Sequence, residues 1–362
     1  MLKFNEFKYE RPDINLITEK LKSLINRFKE SKDVESQNEI LKEINKIRSN
    51  FETMASLVHI RHSINTEDEF YVEEQDFMDE VSPLYQNIVM EFYKALVESK
   101  FKDELEKYWG KQVFRLAELE IKTMSPEIIE DMVKENKLSS EYDKLIASAK
   151  IDFQGKIRNL SQMQPFMQSK DREIRKEAYE AYIRFFSDNE SELDRIYDEL
   201  VKVRDKMAKK LGYKNFVALG YERLGRTDYD AEMVANYRKQ VYEDLVSLTI
   251  ELKDRQRKRL NLKELKYYDE PLEYLTGNAS PKGNPEWILD NGKRMYKELS
   301  DETHEFFSYM VETGLLDLVS KKGKMSGGYC TYLPDYKAPF IFSNFNGTSG
   351  DVDVLTHEAG HA

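Results

Sequence analysis

The sequence predicts a mostly α-helical protein with a small β-hairpin or sheet near its C-terminal end. Three observations favour this fold class. Apolar residues recur at helical spacing through most of the first 143 residues. Charged residues make up 34% of the chain and alternate in sign along these stretches, as they do on exposed helix faces. The last forty residues instead contain short runs rich in aromatic and β-branched residues, which predict strands.

The first part of the chain, from about Asp13 to Asp143, has the pattern of successive amphipathic helices. Its opening stretch, INLITEKLKSLINRF, places six apolar residues on one helical stripe: Ile14, Ile17, Leu21, Leu24, Ile25 and Phe28. Further along, Ser125 and Pro126 have the residue types preferred at an N-cap and at the first helical position. We expect residues 1–160 to form an N-terminal helical lobe.

The helical pattern is interrupted between residues 150 and 170, where short apolar runs predict a small strand or hairpin. Helices resume near Asp171, and a loop rich in Gly and Pro follows at residues 269–287. Two more helices are expected to reach about Val319. We assign residues 161–362 to a second domain.

The last forty residues contain two predicted strands, GGYCTYLP and FIFSNFN, joined by the turn-forming segment PDYKAP. A helix is expected to begin between Ser349 and Asp351. An edge strand of such a hairpin can bind an extended peptide by strand addition. We therefore predict that the start of the first strand, Gly327, Gly328 and Tyr329, contacts a substrate.

Composition narrows the class of protein. The formal net charge is −11, with no basic block, which argues against nucleic acid or an anionic membrane as a partner. A single cysteine, Cys330, permits no internal disulfide and fits a reducing compartment. We find no secretory signal and no run of apolar residues long enough to span a membrane. A cytoplasmic protein is expected.

The segment His357-Glu358-Ala359-Gly360-His361 has the spacing of a zinc-binding helix, HExxH. Residues four apart lie on one helix face, so both imidazoles point in one direction while Leu355 points in nearly the opposite one. Two imidazoles, one further protein ligand and a water complete a catalytic zinc site. Glu358 lies beside the histidines, where it can act as a general base. The motif predicts one zinc ion held by His357 and His361.

Other histidines and the cysteine fit ordinary structural roles better. His59 and His62 are three residues apart on a predicted helix, but no cysteine or carboxylate cluster accompanies them. His304 has no second histidine nearby, and Cys330 has no His or Asn pattern that would make it a nucleophile. We interpret all four as residues of helix surface or core.

Residues 324–362, KMSGGYCTYLPDYKAPFIFSNFNGTSGDVDVLTHEAGHA, resemble the segment around the zinc helix of the oligoendopeptidase F and thimet oligopeptidase family. A looser resemblance extends back to about residue 165. It implies a two-lobed helical fold with a deep channel, and a zinc peptidase that admits short unstructured peptides. It also implies His357 and His361 as ligands and Glu358 as the catalytic base.

The family's third zinc ligand is a Glu on the next helix, and its oxyanion-stabilising Tyr and His lie further on. These positions would follow Ala362. The resemblance therefore implies a chain truncated just after the motif, inactive unless a C-terminal segment or a separate chain completes the site. Two alternatives remain open: a zincin of another family, and a non-catalytic peptide-binding fragment or helical scaffold. Cleavage specificity and oligomeric state do not follow from the sequence.

Overall fold

Six α-helices form the N-terminal part of the protein in this computed structural model, which describes residues 2–362. Carboxylates of Asp13, Asp33 and Asp68 each accept a backbone N–H at the start of one of the first three helices, as N-caps do. The helices are α1 (Ile14–Glu30), α2 (Val34–Ile64), α3 (Glu69–Val97), α4 (Lys102–Trp109), α5 (Lys111–Thr123) and α6 (Ile129–Ala147).

The predicted apolar stripe of α1 does pack into the core. Leu21, Leu24, Ile25 and Phe28 are buried, and Ile14 and Ile17 pack against the same cluster. The Ser125 hydroxyl accepts the N–H of Glu127 at the start of a short 3₁₀ turn that leads into α6. The helical pattern of the first 143 residues is therefore confirmed.

The middle of the chain begins with a β-hairpin and continues as helices. Gln154 and Gly155 both have positive φ values, +53° and +71°, which the tightest hairpin turns require. The elements are β1 (Ile151–Phe153), β2 (Lys156–Arg158), α7 (Leu160–Met167), α8 (Arg172–Asp188), α9 (Glu190–Lys210), α10 (Phe216–Arg223), α11 (Ala231–Gln240), α12 (Val246–Arg259), α13 (Pro285–Leu299) and α14 (Asp301–Thr313).

A three-stranded sheet and one last helix follow. They are β3 (Leu316–Val319), β4 (Tyr329–Leu333), β5 (Ala338–Phe345) and α15 (Gly350–His361). The order is β3-β5-β4, with β3 parallel and β4 antiparallel to β5. The predicted strand, turn, strand and helix are all present. The expectation that helix continues to Val319 is wrong, because Gly314 ends α14 in a left-handed conformation and β3 begins two residues later.

The sheet lies between α2 and α15. On one face, Tyr329 packs its ring near His59 of α2, with centroids 5.2 Å apart. On the other face, Gly328 approaches Val354 of α15. The largest buried cluster joins α1–α5 to the sheet, α13–α15 and their connections. A domain boundary near residue 160 stays a prediction, while the mostly α fold class is confirmed.

Within residues 2–362, no helix combines the length and the apolar character that crossing a membrane requires.

Candidate active site

The turn before α15 is held by a buried carboxylate. Asp351 accepts the backbone N–H groups of Asn346 and Gly347, at 2.9 and 2.8 Å. The side-chain oxygen of Asn346 accepts the N–H and hydroxyl of Thr348, and its amide donates to the carbonyl of Ser161. Burial raises the pKa of Asp351, and its two backbone hydrogen bonds oppose that rise. These contacts fix the position at which α15 leaves β5.

The two histidines of the motif converge on the exposed side of α15. Their Nε2 atoms are 3.1 Å apart, and both side chains are exposed. Leu355 and Ala359 lie on the packed side, buried to 2% and 8% exposure. Val352, which helical spacing places near Leu355, is 41% exposed. The helix therefore carries His357 and His361 together on its exposed face, as the four-residue spacing predicts, and His361 lines the adjoining cleft.

The separation of these nitrogens fits one zinc ion. Tetrahedral zinc with Zn–N bonds near 2.0–2.1 Å places two imidazole nitrogens about 3.3 Å apart, close to the observed 3.1 Å. Among residues 2–362, no group of three or more His, Cys, Asp or Glu side chains is arranged to hold a metal. The described chain thus brings together two nitrogen donors of the right kind and spacing, without a third protein ligand.

Glu358 belongs to α15, and its side chain lies between that helix and the start of β4. Its side chain is mostly buried, at 8% exposure. A Cβ atom on Gly328 would lie 3.8 Å from Glu358 Oε1, and 3.3 Å from both the Phe342 carbonyl oxygen and Val354 Cγ1. Glycine at position 328 therefore leaves room in front of the carboxylate. Burial first, and then the charge of Glu358, raise the pKa of the Cys330 thiol, and both residues line one cleft.

β4 is an edge strand, because only β5 pairs with it in the sheet. A cleft of about 510 Å³ lies between this edge and the end of α15. Its wall includes the predicted substrate-contacting residues Gly328 and Tyr329, together with Glu358 and His361. Gly327 lies just outside this wall.

The side chain of Tyr329 does not point into the cleft, although its backbone borders it. The ring stacks on Phe342 with centroids 4.8 Å apart, and burial raises its pKa. Gly327 occupies a turn with φ +89°, and its carbonyl accepts the amide of Asn344. Any contact of Gly327, Gly328 or Tyr329 with a peptide would therefore run through the backbone.

Lys324 is a structural residue of the site that sequence reasoning did not identify. Its ammonium is buried, pairs with Asp317 and donates to the carbonyls of Val319 and Ser343. Burial lowers the pKa of this lysine to about 8. These contacts join β3, β5 and the loop that leads into β4. Its sequence neighbours include Lys321 and Lys322, so no local signal distinguished the buried lysine from the two exposed ones.

The other histidine pair does not form a metal site. His62 is buried in the helical core, and its Nε2 atom has no hydrogen-bond partner in the part of the chain that the structure describes. His59 instead packs against Tyr329. His304 lies within 3.3 Å of the Ser308 hydroxyl on its own helix. The structural interpretation of these residues agrees with the geometry.

Two family patterns match the chain in sequence. The Peptidase M3 N-terminal domain matches residues 4–124, and Peptidase family M3 matches residues 165–362. The chain belongs to peptidase family M3. No curated protein matches it.

Solved structures agree with this assignment. The chain is 58% identical to PZ peptidase A with inhibitor 2, at a TM-score of 0.99 over 99% of this chain and 64% of that one. A structure assigned to oligoendopeptidase F from Bacillus anthracis str. Ames is also 58% identical, at a TM-score of 0.99 over 100% of this chain and 66% of that one. The expected resemblance to oligoendopeptidase F is confirmed, and with it the helical fold of this family.

A more distant structure, assigned as a peptidase from Chlamydophila abortus, is 17% identical at a TM-score of 0.51 and shares the fold. The chain spans about two thirds of the length of the structures that it matches, 64% for PZ peptidase A. Membership of family M3 makes the protein a metallopeptidase homologue and removes the alternative of an unrelated zincin family.

Proposed function

We propose that this chain supplies the zinc-binding helix and the general base of an endopeptidase that hydrolyses short unstructured peptides. The observation that carries the proposal is the convergence of His357 and His361, with Nε2 atoms 3.1 Å apart beside the mostly buried Glu358. Membership of family M3 and the inhibitor-bound state of PZ peptidase A support it.

His357 and His361 would hold one zinc ion through their Nε2 atoms. When bound, zinc supplies a Lewis acid that polarises a peptide carbonyl and makes water acidic near neutral pH. A third protein ligand would come from outside residues 1–362, in a following segment or in a separate chain. This part of the proposal rests on the two-donor geometry of the described residues.

Glu358 would act as general base and then as general acid. Its carboxylate follows His357 directly in sequence and lies at the wall of the cleft that His361 also lines. It would accept a proton from the attacking water and deliver that proton to the leaving amine. Its burial against Gly328 holds the carboxylate in one place, which favours transfer at a fixed position.

The β4 edge would hold the peptide in extended form. An edge strand offers unpaired N–H and C=O groups, to which an extended chain can add as a further strand. Gly327, Gly328 and Tyr329 would bind substrate in this way, through backbone atoms. Folded proteins could not present such a strand, which accounts for a preference for short, unstructured peptides.

Residues 1–160 would form the N-terminal helical lobe, and residues 161–362 would belong to the catalytic domain. We place the protein in the cytoplasm, from its single cysteine and acidic charge. Alone, residues 1–362 would bind zinc weakly and hydrolyse no peptide, because two imidazoles leave the remaining positions to water. In isolation the chain would then act only as a peptide-binding fragment.

The test of the base uses an extended chain, defined as residues 1–362 followed by the part of PZ peptidase A that this chain does not cover. Glu358→Gln in the extended chain should keep zinc and lower turnover of a quenched fluorescent peptide by roughly 100-fold to 10,000-fold. Zinc content and turnover are measured on the same samples. Turnover near the unsubstituted level, with zinc retained, would remove Glu358 from the mechanism.

A second assay tests whether residues 1–362 contain every ligand that the metal needs. Residues 1–362 and the extended chain are each loaded with zinc and assayed on the same peptide. Only the extended chain should show hydrolysis that a chelator abolishes. Chelator-sensitive turnover by residues 1–362 alone would mean that the third ligand lies within them.

A further inference from the structure

Tyr332 is an exposed aromatic residue at the wall of the catalytic cleft. It is 53% exposed, and its ring stacks on no other aromatic ring among the residues that the structure describes. Tyr329 and Tyr336, its neighbours in sequence, stack on Phe342 and Phe7 respectively. Of these three tyrosines, therefore, only Tyr332 leaves its ring free for a ligand.

The alternation of β4 puts Tyr332 on the same face as Glu358. Successive side chains of a strand point to opposite faces, so Gly328, Cys330 and Tyr332 share one face. Gly328 lies against Glu358 on this face. Tyr329 and Leu333, on the opposite face, are directed into the core.

The distance along the strand fixes which part of a substrate would meet the ring. Gly328 lies against Glu358, and Cys330 lines the same cleft as that carboxylate. Tyr332 is two residues beyond Cys330 and four beyond Gly328, roughly 7 to 13 Å at the rise of an extended strand. A peptide added to the β4 edge has the same rise. Its side chain two to four residues from the cleaved bond would therefore lie beside Tyr332.

The nearest neighbour of the ring across the sheet is apolar. Pro339 is the cross-strand partner of Tyr332, and both line the cleft. Pro339 carries no charge and no side-chain hydrogen-bonding group, whereas Thr331, Glu358 and His361 line other parts of the cleft. An aromatic ring in such a wall favours large apolar side chains, especially aromatic ones, through burial and ring-to-ring contact.

We propose that Tyr332 determines specificity, selecting peptides that carry a large apolar or aromatic side chain about two to four residues from the cleaved bond. This inference rests on the proposed function for its position relative to the cleaved bond. The ring itself touches substrate and takes no part in proton transfer. Its contribution is to affinity and to the choice of the bond that is cut.

The experiment separates binding from hydrolysis. Eight fluorescein-labelled octapeptides of otherwise polar sequence carry a single Phe, moved one position at a time, and a ninth carries none. Their binding to residues 1–362 is measured by fluorescence anisotropy, for the unsubstituted chain, Tyr332→Ala and Tyr332→Phe. Tyr197→Ala, which removes a 72% exposed tyrosine of α9, is the control. The extended chain is then assayed for cleavage of the same peptides.

Tyr332→Ala should weaken binding of the preferred Phe peptides by about 5-fold to 20-fold and leave the Phe-free peptide unchanged. Tyr332→Phe and Tyr197→Ala should bind like the unsubstituted chain. In the extended chain, Tyr332→Ala should spread the cleavage sites and raise KM more than it lowers kcat. Equal binding of all nine peptides, or an unchanged preference in Tyr332→Ala, would overturn the inference. Preference without any cleavage by the extended chain would instead contradict the proposed function.

Discussion

The protein contains two histidine pairs at helical spacing, one on α2 and one on α15, and they have opposite environments. His357 and His361 are exposed, and their Nε2 atoms are 3.1 Å apart. His62 is 2% exposed with an unpartnered Nε2, and His59 packs against Tyr329. Spacing alone therefore does not make a metal site. Two imidazoles must also converge beside a cleft that a metal and substrate can enter.

The helices that carry the pairs differ in the same way. Twelve side chains of α2 are buried, because this long helix packs against α1, α3 and the sheet. Four of the 12 residues of α15 are buried, a fraction similar to that of the 31-residue α2, but α15 is fixed at its start by Asp351 and by the sheet on one side, and its histidines are exposed. α2 is a core element whose histidines are part of the packing. α15 keeps one face free for chemistry.

The largest expected difference between the pairs is in turnover. In the extended chain, His357→Ala or His361→Ala should reduce peptide hydrolysis at least 1,000-fold, because the loss of a ligand removes the metal. His59→Asn should retain hydrolysis within about 10-fold, since the α2 pair lies outside the proposed metal site. Initial rates on one quenched peptide provide the measurement. Comparable losses from the two pairs would contradict the distinction between them.

A second prediction concerns the strand that faces the α15 pair. In the extended chain, Gly328→Pro should raise KM roughly 10-fold, because proline removes an N–H donor from the edge that would receive substrate. Gly328→Ala keeps that donor and reports the steric effect of a Cβ atom near Glu358. Circular dichroism checks that both variants fold. An unchanged KM and kcat in a folded Gly328→Pro variant would remove this edge from substrate binding.

The smallest effect is expected on the free energy of unfolding. It comes from the buried histidine pair and depends on pH. Burial, followed by the charge of Lys144, lowers the pKa of His62 from 6.5 to about 4. Between these values the unfolded chain binds a proton that the folded protein does not bind. The free energy of unfolding should therefore fall as pH falls from 6.5 towards 4, by at most about 1.4 kcal/mol per pH unit from this residue.

His62→Phe should remove that part of the slope, whereas His304→Asn, on a less buried helix face, should leave it in place. Urea unfolding at several pH values measures the slope directly. A slope identical in the His62→Phe variant and the unsubstituted chain would show that His62 is not buried in its neutral form.

Sequence reasoning reached the parts of this structure that depend on local pattern. Apolar periodicity predicted α1, the paired runs around PDYKAP predicted β4 and β5, and the HExxH spacing predicted the convergence of His357 and His361. These features depend on residues close together in the chain. The family resemblance then carried the fold class beyond what periodicity could establish.

Features that depend on distant contacts were not predictable in the same way. β3 is only four residues long and pairs with β5 across an intervening strand, so no local signal distinguished it from the end of a helix. The burial of Lys324 beside Asp317, and the inward packing of Tyr329, follow from the position of α2 behind the sheet. Among residues 2–362, no group of three or more His, Cys, Asp or Glu side chains is arranged to hold a metal, and sequence alone cannot show which groups a fold brings together.

Zinc binding by residues 1–362 tests the central claim most directly, because it needs neither hydrolysis nor the rest of the site. Zinc is titrated into the unsubstituted chain, His361→Ala and His62→Phe against a chromogenic chelator of moderate affinity. The unsubstituted chain and His62→Phe should each compete for one zinc ion, and His361→Ala should lose at least 10-fold in affinity. Equal zinc affinity in His361→Ala and the unsubstituted chain would show that the pair on α15 is not the metal site.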